Sequence, residues 1–231
     1  AEEASRANAL AEADALRRAL LSAVSHDLRT PLSAVKAASS SLRSTDVQFS
    51  PEDTDELLAT IDESADQLTA LVSNLLDSSR LQAGVVHPSL RPVFVDDVLG
   101  GALIGADDRV RVEVGDVEVL ADPGLLERVL ANLVNNSARY APVGDITVSA
   151  AVAGDRARIS VADHGPGIAE GAEETMFDAF QRLGDRDNSV GVGLGLSVVR
   201  GFVRAMGGTV TASNTVGGGL TMTVELKAAI R

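Results

Sequence analysis

The chain has 231 residues, and its 33 acidic against 20 basic side chains give a formal net charge of −13 at pH 7. This balance argues against nucleic-acid binding, which needs clustered lysine and arginine to meet the phosphate backbone. The chain has no cysteine, which excludes disulfides and thiolate metal sites and fits a reducing compartment such as the cytoplasm. No apolar run approaches the roughly 20 residues of a membrane-spanning helix. We therefore expect a soluble part of a longer protein, attached to a membrane only through a region upstream of Ala1.

A long helix is predicted around the stretch Ser25-His26-Asp27-Leu28-Arg29-Thr30-Pro31-Leu32. The apolar residues along it recur every three or four positions and share one face; they are Leu20, Val24, Leu28, Leu32, Val35 and Leu42. At about 100° per residue, His26 lies nearly opposite this face and is predicted to face water, with Thr30 one turn further on the same side. A titratable group there is open to chemistry by a partner, although an incidental surface histidine would give the same pattern.

A second long helix is predicted to begin at Ser50, the N-cap, with Pro51 in the first helical position, and to end near Gly84. The two helices form a helical hairpin, and Pro31 should bend the first of them just after His26. A single hairpin leaves too little core for independent stability. We therefore predict a homodimer in which two hairpins form a four-helix bundle.

After a linker over residues 84–92, which contains Pro88 and Pro92, the pattern changes to mixed α and β structure. Strands are predicted at residues 93–95, 109–114, 117–120, 146–153, 156–163, 209–214 and 220–226. Helices are predicted at residues 97–103, 123–140, 174–180 and 194–206. Antiparallel strands with helices gathered on one face would make an α/β sandwich.

Polar side chains gather on one side of the helix predicted at 123–140. Asn132 and Asn136 are four residues apart and therefore stacked, and Arg139 and Tyr140 follow within a turn. Amide oxygens are hard ligands that suit Mg²⁺, which takes its other ligands from water and substrate phosphates. Arg139 is placed for phosphate and Tyr140 could pack on a base. Solvated asparagines and a core tyrosine would give the same pattern, so both interpretations stay open.

Two glycine-rich stretches lie downstream. Asp163-His164-Gly165-Pro166-Gly167-Ile168 follows a strand, where glycines let the backbone approach a ligand and a carboxylate can accept from an exocyclic amine. A plain Gly-Pro turn is the alternative. Val190-Gly191-Val192-Gly193-Leu194-Gly195-Leu196 leads into a helix, whose N-terminus favours an anionic phosphate. The polar segment between the two stretches carries Phe180 and could close over a bound nucleotide.

In this order, the motifs resemble the catalytic core of two-component sensor histidine kinases over about residues 19–228. The stretches 25–32, 177–182 and 190–196 are similar to the potassium-responsive KdpD-type sensors. The resemblance implies a linker helix at 1–18, a dimerisation and histidine phosphotransfer domain at 19–83, and a Bergerat-type α/β sandwich for ATP at 93–231. It also implies ATP and Mg²⁺ as cofactors and a response regulator receiver domain as partner.

The same resemblance implies roles for the residues on the first helix. His26 would accept the phosphoryl group, Asp27 would orient the ring or help to deprotonate it, and Thr30 would position water when the phosphorylated partner is dephosphorylated. The role of Asp27 rests on the resemblance, because adjacent residues do not face each other on a helix.

For the nucleotide, the resemblance implies that Asn132 and Asn136 hold Mg²⁺, Arg139 contacts phosphate, Tyr140 lines the base pocket and Asp163 accepts from the adenine amino group. The pocket and the segment that covers it would be completed by Gly165, Gly167, Ile168, Phe180, Arg182, Gly191, Gly193, Leu194, Gly195 and Leu196. Among these, Phe180 would anchor the covering segment and Arg182 would approach the γ-phosphate.

Two other functions compete with this interpretation. Chaperones and topoisomerases that hydrolyse ATP on the same fold place a glutamate where Asn132 stands, and an asparagine cannot act as a general base. A non-enzymatic dimeric scaffold with a degenerate ATP site is the second. Against the scaffold, every nucleotide motif is present, with one departure at Leu220, where the family pattern has threonine.

Overall fold

The computed structural model describes residues 24–44, 48–178 and 193–229. The linker helix expected at 1–18 and the site candidates Phe180, Arg182 and Gly191 lie outside these ranges. Contacts between Cα atoms divide the chain into two compact units, and one division falls between Leu76 and Asp77. Within the described ranges, no helix is both long and apolar enough to cross a membrane.

Two helices form the described part of the first unit. Helix α1 covers residues 24–42 and continues through Pro31, and helix α2 (Pro51–Gln82) extends from this unit into the second. The predicted start of α2 is confirmed, because the Asp53 N–H donates to Ser50 Oγ at 3.1 Å and the Ser50 N–H donates back to Asp53 Oδ2 at 3.3 Å. Both helices keep large apolar side chains exposed, among them Leu32 and Leu76.

The second unit contains two sheets and three helices. Its elements are β1 (Arg91–Phe94), α3 (Val95–Ala102), β2 (Val110–Val114), β3 (Glu118–Ala121), α4 (Pro123–Tyr140), β4 (Ile146–Ala153), β5 (Arg156–Ala162), α5 (Gly195–Ala205), β6 (Thr209–Asn214) and β7 (Leu220–Lys227). Five strands pair in the order β2-β4-β5-β7-β6, and β1 pairs with β3 in a separate antiparallel ribbon. The fold is therefore a helical region followed by a mixed α/β sheet domain, as the sequence predicted.

Several details of the prediction are wrong. The main sheet is not wholly antiparallel, because β2 runs parallel to β4, and the chain that joins them through β3 and α4 is long enough for such a crossover. Helix α3 begins at Val95, two residues before the predicted start. In the described part of the helix expected at 174–180, only a short 3₁₀ turn forms, over Thr175–Phe177, and Asp178 is extended. This single turn buries Met176 and Phe177.

The core explains where the polar motifs lie. Helix α4 buries the face predicted for it, with Leu126, Val129, Leu130, Leu133 and Val134 no more than 1% exposed. These residues belong to one apolar cluster with the inner face of the sheet and with α5. The end of β5 is level with the start of β7, where Ala162 pairs with Thr221. Asp163 therefore leaves the sheet beside the polar side of α4.

The end of α2 is part of the second unit. Its buried Asp77 forms an ion pair with Arg128 on α4. Leu81 lies so close to α5 that a Cβ on Gly201 would come within 2.5 Å of it. Further along, the Ser89 N–H donates to the Asp122 carboxylate at 2.8 Å. The chain between α2 and β1 is thus attached to the α/β domain rather than extended away from it.

Candidate functional site

His26 faces water, as predicted, and its side chain is 60% exposed. The neighbouring Asp27 is 1% exposed, and its Oδ1 lies 3.1 Å from His26 Nδ1. The expectation that adjacent helical residues do not meet is therefore wrong for this pair. Their Cβ atoms point about 100° apart around the helix axis, but an imidazole and a carboxylate are long enough for their ends to come into contact. The result is an accessible imidazole with one ring nitrogen held by a buried carboxylate.

Thr30 lies one turn beyond His26 on the same exposed side of α1. Its hydroxyl is 3.5 Å from the main-chain carbonyl oxygen of His26, which is the usual i−4 partner of a helical threonine and at that length a weak bond. The hydroxyl is therefore close to the histidine and free to turn toward solvent.

Helix α4 positions the asparagine motif. Asp122 caps its N-terminus by accepting from the Leu125 N–H at 3.1 Å, and Pro123 takes the first helical position. Asn132 and Asn136 are half-buried. Arg139 and Tyr140 are exposed at the C-terminal end, with the guanidinium 5.6 Å from the ring centroid.

The described ranges contain no group of three or more histidine, cysteine or acidic side chains that could hold a metal ion. On α4, the half-buried Asn132 and Asn136 could supply amide oxygens to a cation, with water and phosphate oxygens as its other ligands. This donor set fits Mg²⁺, which commonly keeps several waters and takes substrate phosphates as ligands.

Asp163 is the most fully engaged polar residue of the site. It is 3% exposed, and its Oδ1 accepts from the main-chain N–H groups of Gly165 at 2.9 Å and Leu220 at 3.0 Å. Its Oδ2 accepts from the Ser137 hydroxyl at 3.1 Å. Three donors fix the carboxylate in one orientation, and Oδ2 keeps a lone pair for a further donor.

Two residues of this arrangement were missed by sequence reasoning. Ser137 is 4% exposed on α4, next to Asn136. Its spacing of four residues from Leu133 and three from Val134, which predicts a position on the apolar face of the helix, was the signal that could have found it. Asn214, at the end of β6, holds the glycine turn, since its Oδ1 accepts from the Ile168 N–H at 2.7 Å and its Nδ2 donates to the Ile168 carbonyl at 2.9 Å. Nothing local in the sequence marks that contact.

Glycines allow the turns around Asp163 to approach one another. A Cβ on Gly165 would lie 3.0 Å from the Tyr140 carbonyl oxygen, and one on Gly167, at φ +69°, would lie 2.5 Å from Asn214 Oδ1. Gly219, at φ +111°, is tighter still, because its Cβ would lie 1.9 Å from the Asp163 carbonyl oxygen. Side chains at these positions would push the walls of the site apart.

The departure at Leu220 has a structural explanation. Leu220 contributes its main-chain N–H to Asp163, which requires no particular side chain. The hydroxyl of the next residue, Thr221, lies 2.8 Å from the Thr215 hydroxyl and is engaged there. In this chain the β7 end of the site therefore acts through its backbone.

The second glycine stretch is described from Gly193 onward. Gly193 has φ +67°, Leu194 is buried, and Gly195 and Leu196 open helix α5, as the sequence predicted. Further along α5, Arg200 donates to Asp178 at 2.7 Å and lies 5.8 Å from the Phe177 ring centroid. Helix α5 thus begins two residues after Gly193, and its Arg200 contacts Phe177 and Asp178 of the 3₁₀ turn region.

In a comparison with known proteins, both parts of the chain match a protein family. Residues 16–84 match the His Kinase A (phospho-acceptor) domain, and residues 121–230 match the Histidine kinase-, DNA gyrase B-, and HSP90-like ATPase family. Among solved structures, full-length ShkA in complex with AMPPNP matches with a TM-score of 0.61 and 28% identity, over 93% of this chain and 46% of that one.

A phospho-acceptor helix pair followed by this ATPase fold defines the sensor histidine kinases, and the chain belongs to that family. It is similar to Sensor protein KdpD of Mycobacterium tuberculosis, with 59% identity over 239 residues that cover 99% of this chain and 28% of the relative. Sensor protein KdpD of Escherichia coli K12 is 35% identical over 96% of this chain and 25% of its own length. The chain thus spans about a quarter of the length of these relatives.

Proposed function

We propose that the chain binds ATP in its second unit, transfers the γ-phosphoryl group to His26, and passes it on to an aspartate in the receiver domain of a response regulator. The observation that carries this proposal is the exposed imidazole of His26, held through Nδ1 by the buried carboxylate of Asp27. An incidental surface histidine would not need a buried charged partner.

The pairing with Asp27 selects the reacting atom. With Nδ1–H donating to the carboxylate, Nε2 carries the lone pair and is the nucleophile. The bond between Nε2 and the γ-phosphorus forms as the bond from that phosphorus to the bridging oxygen breaks, and ADP leaves with the electron pair. The ring becomes positively charged while it keeps its Nδ1 proton, and Asp27 balances that charge.

The nucleotide would lie between α4 and the turns at the ends of β5 and β7. Asp163 would accept from the adenine amino group through the free lone pair of Oδ2, and Tyr140 would pack on the base. Arg139 and the N-terminus of α5 at Gly195 would contact phosphates. The covering segment would comprise Phe180, Arg182 and Gly191.

Asn132 and Asn136 would hold Mg²⁺ through their amide oxygens. When bound, the cation neutralises charge on the β- and γ-phosphates, which is the main requirement of phosphoryl transfer. The two asparagines would then help to fix the phosphate chain for transfer to His26, and neither would have to move a proton.

The exposed apolar residues of the first unit support a homodimer. Leu32, Leu58, Val72 and Leu76 are 47 to 59% exposed on two amphipathic helices, and a second hairpin would cover them in a four-helix bundle.

We assign residues 19–83 to dimerisation and phosphotransfer, 84–92 to a linker and 93–231 to ATP binding. The chain would be the cytoplasmic portion of a longer, membrane-anchored sensor, since ATP and response regulators are cytoplasmic.

Thr30 could give the same site a second, opposing activity, the hydrolysis of the phosphorylated regulator. Its hydroxyl lies one turn from His26 on the exposed side of α1 and could orient a water toward a phosphorylated aspartate of a bound receiver domain. We therefore include phosphatase activity toward the phosphorylated regulator in the proposed function.

The experiment that tests the proposed function is labelling of the chain with radioactive ATP and Mg²⁺. We expect label from [γ-³²P]ATP and none from [α-³²P]ATP, and we expect it to be stable in alkali and lost in acid, as phosphohistidine is. Label that survives acid, or hydrolysis of ATP without labelling, would refute the assignment.

Replacing Asp27 by asparagine tests the orientation of the ring. We expect Asp27→Asn to slow labelling about a hundredfold, because the neutral amide neither stabilises the charged ring nor selects the Nδ1–H tautomer. ATP affinity, measured by calorimetry, should stay at the parent value because the proposed nucleotide residues that the structure describes belong to the second unit. Labelling at the parent rate would show that Asp27 has no part in the reaction.

Ser137→Ala tests the orientation of Asp163. We expect ATP affinity to fall about threefold to tenfold, because Oδ2 loses the donor that fixes it, while alanine suits a helix and should preserve the fold. Ser160→Ala is the matched control, since its hydroxyl bonds to Thr223 within the sheet at 3.1 Å. Equal affinities in parent and Ser137→Ala, by calorimetry, would remove Ser137 from the site.

A further inference from the structure

Arg109, one residue before β2, joins three segments of the second unit. Its Nε and Nη2 donate to the Asp107 carboxylate at 2.9 and 2.6 Å. Its Nη1 donates to the carbonyl oxygens of Ala141 at 2.6 Å and Gly144 at 3.1 Å, and Nη2 lies 3.5 Å from the Ala138 carbonyl oxygen. The guanidinium therefore holds the end of α4 and the loop that follows it.

The end of a helix needs such a partner. The last four carbonyl groups of α4 have no N–H partner within the helix, and the helix dipole makes that end negative. Arg109 supplies a positive charge at this end of α4 and donates to the carbonyl oxygen of the C-cap residue Ala141, with that of Ala138 at 3.5 Å. Asp107 accepts from the guanidinium and fixes its plane. The contact fixes the last turn of α4, which carries Arg139 and Tyr140 and directly follows Asn136.

Two of the residues whose carbonyl groups Arg109 binds, Ala141 and Gly144, border the turn that contains Asp163. A Cβ on Gly165 would lie 3.2 Å from Ala141 Cβ, and one on Gly144 would lie 3.1 Å from His164 Cβ. His164 Nδ1 is also 3.1 Å from the carbonyl oxygen of Asp145. The loop gripped by Arg109 is therefore packed directly against the turn that holds the proposed adenine acceptor.

We propose that Arg109 is a positioning residue of the nucleotide site, which sets the distance between the Tyr140 end of α4 and the turn at Asp163. This inference rests on the proposed function, since it takes those two walls as the base pocket. Arg109 would act through the main chain of residues 138–144, which its guanidinium contacts at Ala138, Ala141 and Gly144.

The ion pair between Asp107 and Arg109 does not depend on pH in the neutral range. The hydrogen bond from Arg109 holds the pKa of Asp107 below its ordinary value, and the bond to Asp107 raises the pKa of Arg109. Both groups therefore keep their charges throughout the neutral range. The contacts of Arg109 with the end of α4 should persist over that range.

Arg111, two residues along, provides a matched control. It is 59% exposed, its guanidinium is 3.7 Å from Asp145, and its one described carbonyl partner is Asp108 at 3.3 Å. Arg111 lies in β2, carries the same charge as Arg109, and has its described partners, Asp108 and Asp145, outside α4.

The test compares Arg109→Met and Arg111→Met in the full chain, by calorimetry with ATP and by labelling rates over a range of ATP concentrations. We expect Arg109→Met to raise the ATP Kd and KM about tenfold, as expected for a displaced wall of the pocket, and to leave kcat within about twofold. Arg111→Met should match the parent in all three. Thermal unfolding sets a temperature at which every variant is folded.

Chemical rescue separates positioning from general destabilisation. In Arg109→Ala, guanidinium ion at low millimolar concentration should restore ATP affinity, and sodium ion at the same concentration should not. Parent-like Kd and KM in Arg109→Met, or a fall in kcat at unchanged KM, would overturn the inference while the proposed function stands. A parent chain that binds no ATP would overturn both.

Discussion

Asp163→Asn is expected to weaken ATP binding about a hundredfold, which corresponds to about 2.7 kcal/mol. Oδ1 of the parent accepts two main-chain N–H groups, so the amide oxygen of asparagine must take that position. The amide NH₂ then replaces Oδ2 and faces both the Ser137 hydroxyl and the adenine amino group. Two donors would meet where an acceptor is needed, and turning the amide over would leave buried N–H groups unpaired.

Calorimetric titration with ATP measures this effect, and thermal unfolding shows that the variant is folded. Asp145→Asn is the control, because the side chain of Asp145 is exposed and its contact to His164 is made by the main-chain carbonyl. The control should bind ATP within about twofold of the parent. If Asp163→Asn did the same, Asp163 could not be the residue that recognises the base.

Gly219→Ala is expected to have the second large effect, on stability as well as on binding. Gly219 has φ +111°, and the new Cβ would lie 1.9 Å from the Asp163 carbonyl oxygen and 2.8 Å from His164 Cα. The neighbouring atoms are backbone and cannot rotate away, so the turn must shift. We expect a loss of about 3–5 kcal/mol of stability and of measurable ATP binding.

Gly218→Ala separates the steric contact from backbone strain. Gly218 has nearly the same φ, +109°, but a Cβ there would have no atom within 4 Å. Its cost should therefore be only the conformational one, about 1–2 kcal/mol, with ATP binding retained. Denaturant unfolding of both variants gives the comparison, and equal losses would mean that the close approach of Gly219 to Asp163 is unimportant.

The parts of the fold that depend on local pattern could be predicted. The start of α2 followed from Ser50 and Pro51, and the buried face of α4 followed from its 3.6-residue period. The parallel pairing of β2 with β4 did not follow, because strand direction depends on how the intervening chain crosses the sheet, which periodicity does not encode. The 3₁₀ turn at 175–177 was missed because a short apolar run gives the same pattern as a helix start.

The residues of the site also divide into those that the sequence could predict and those that it could not. His26, Asp163 and the asparagines were marked by motif spacing, which is a property of adjacent residues in sequence. Ser137 donates to a residue 26 positions away, and Asn214 holds one 46 positions away. Such contacts arise only once the sheet has formed, so a sequence read in short windows does not reveal them.

The contact between His26 and Asp27 shows a different limit. Helical geometry places adjacent Cβ atoms about 100° apart, and that rule excludes most short side chains from meeting. It does not fix where the ends of longer side chains lie. The 3.1 Å contact was within reach of the sequence only through the resemblance to a family of kinases.

The most direct measurement is the site of labelling by [γ-³²P]ATP in the three single histidine variants, since the chain has only three histidines. His26→Gln should bind ATP with the parent affinity and take up no label, while His87→Gln and His164→Gln should still be labelled. Acid-labile label that persists in His26→Gln would contradict the assignment of His26 as the phosphoryl acceptor.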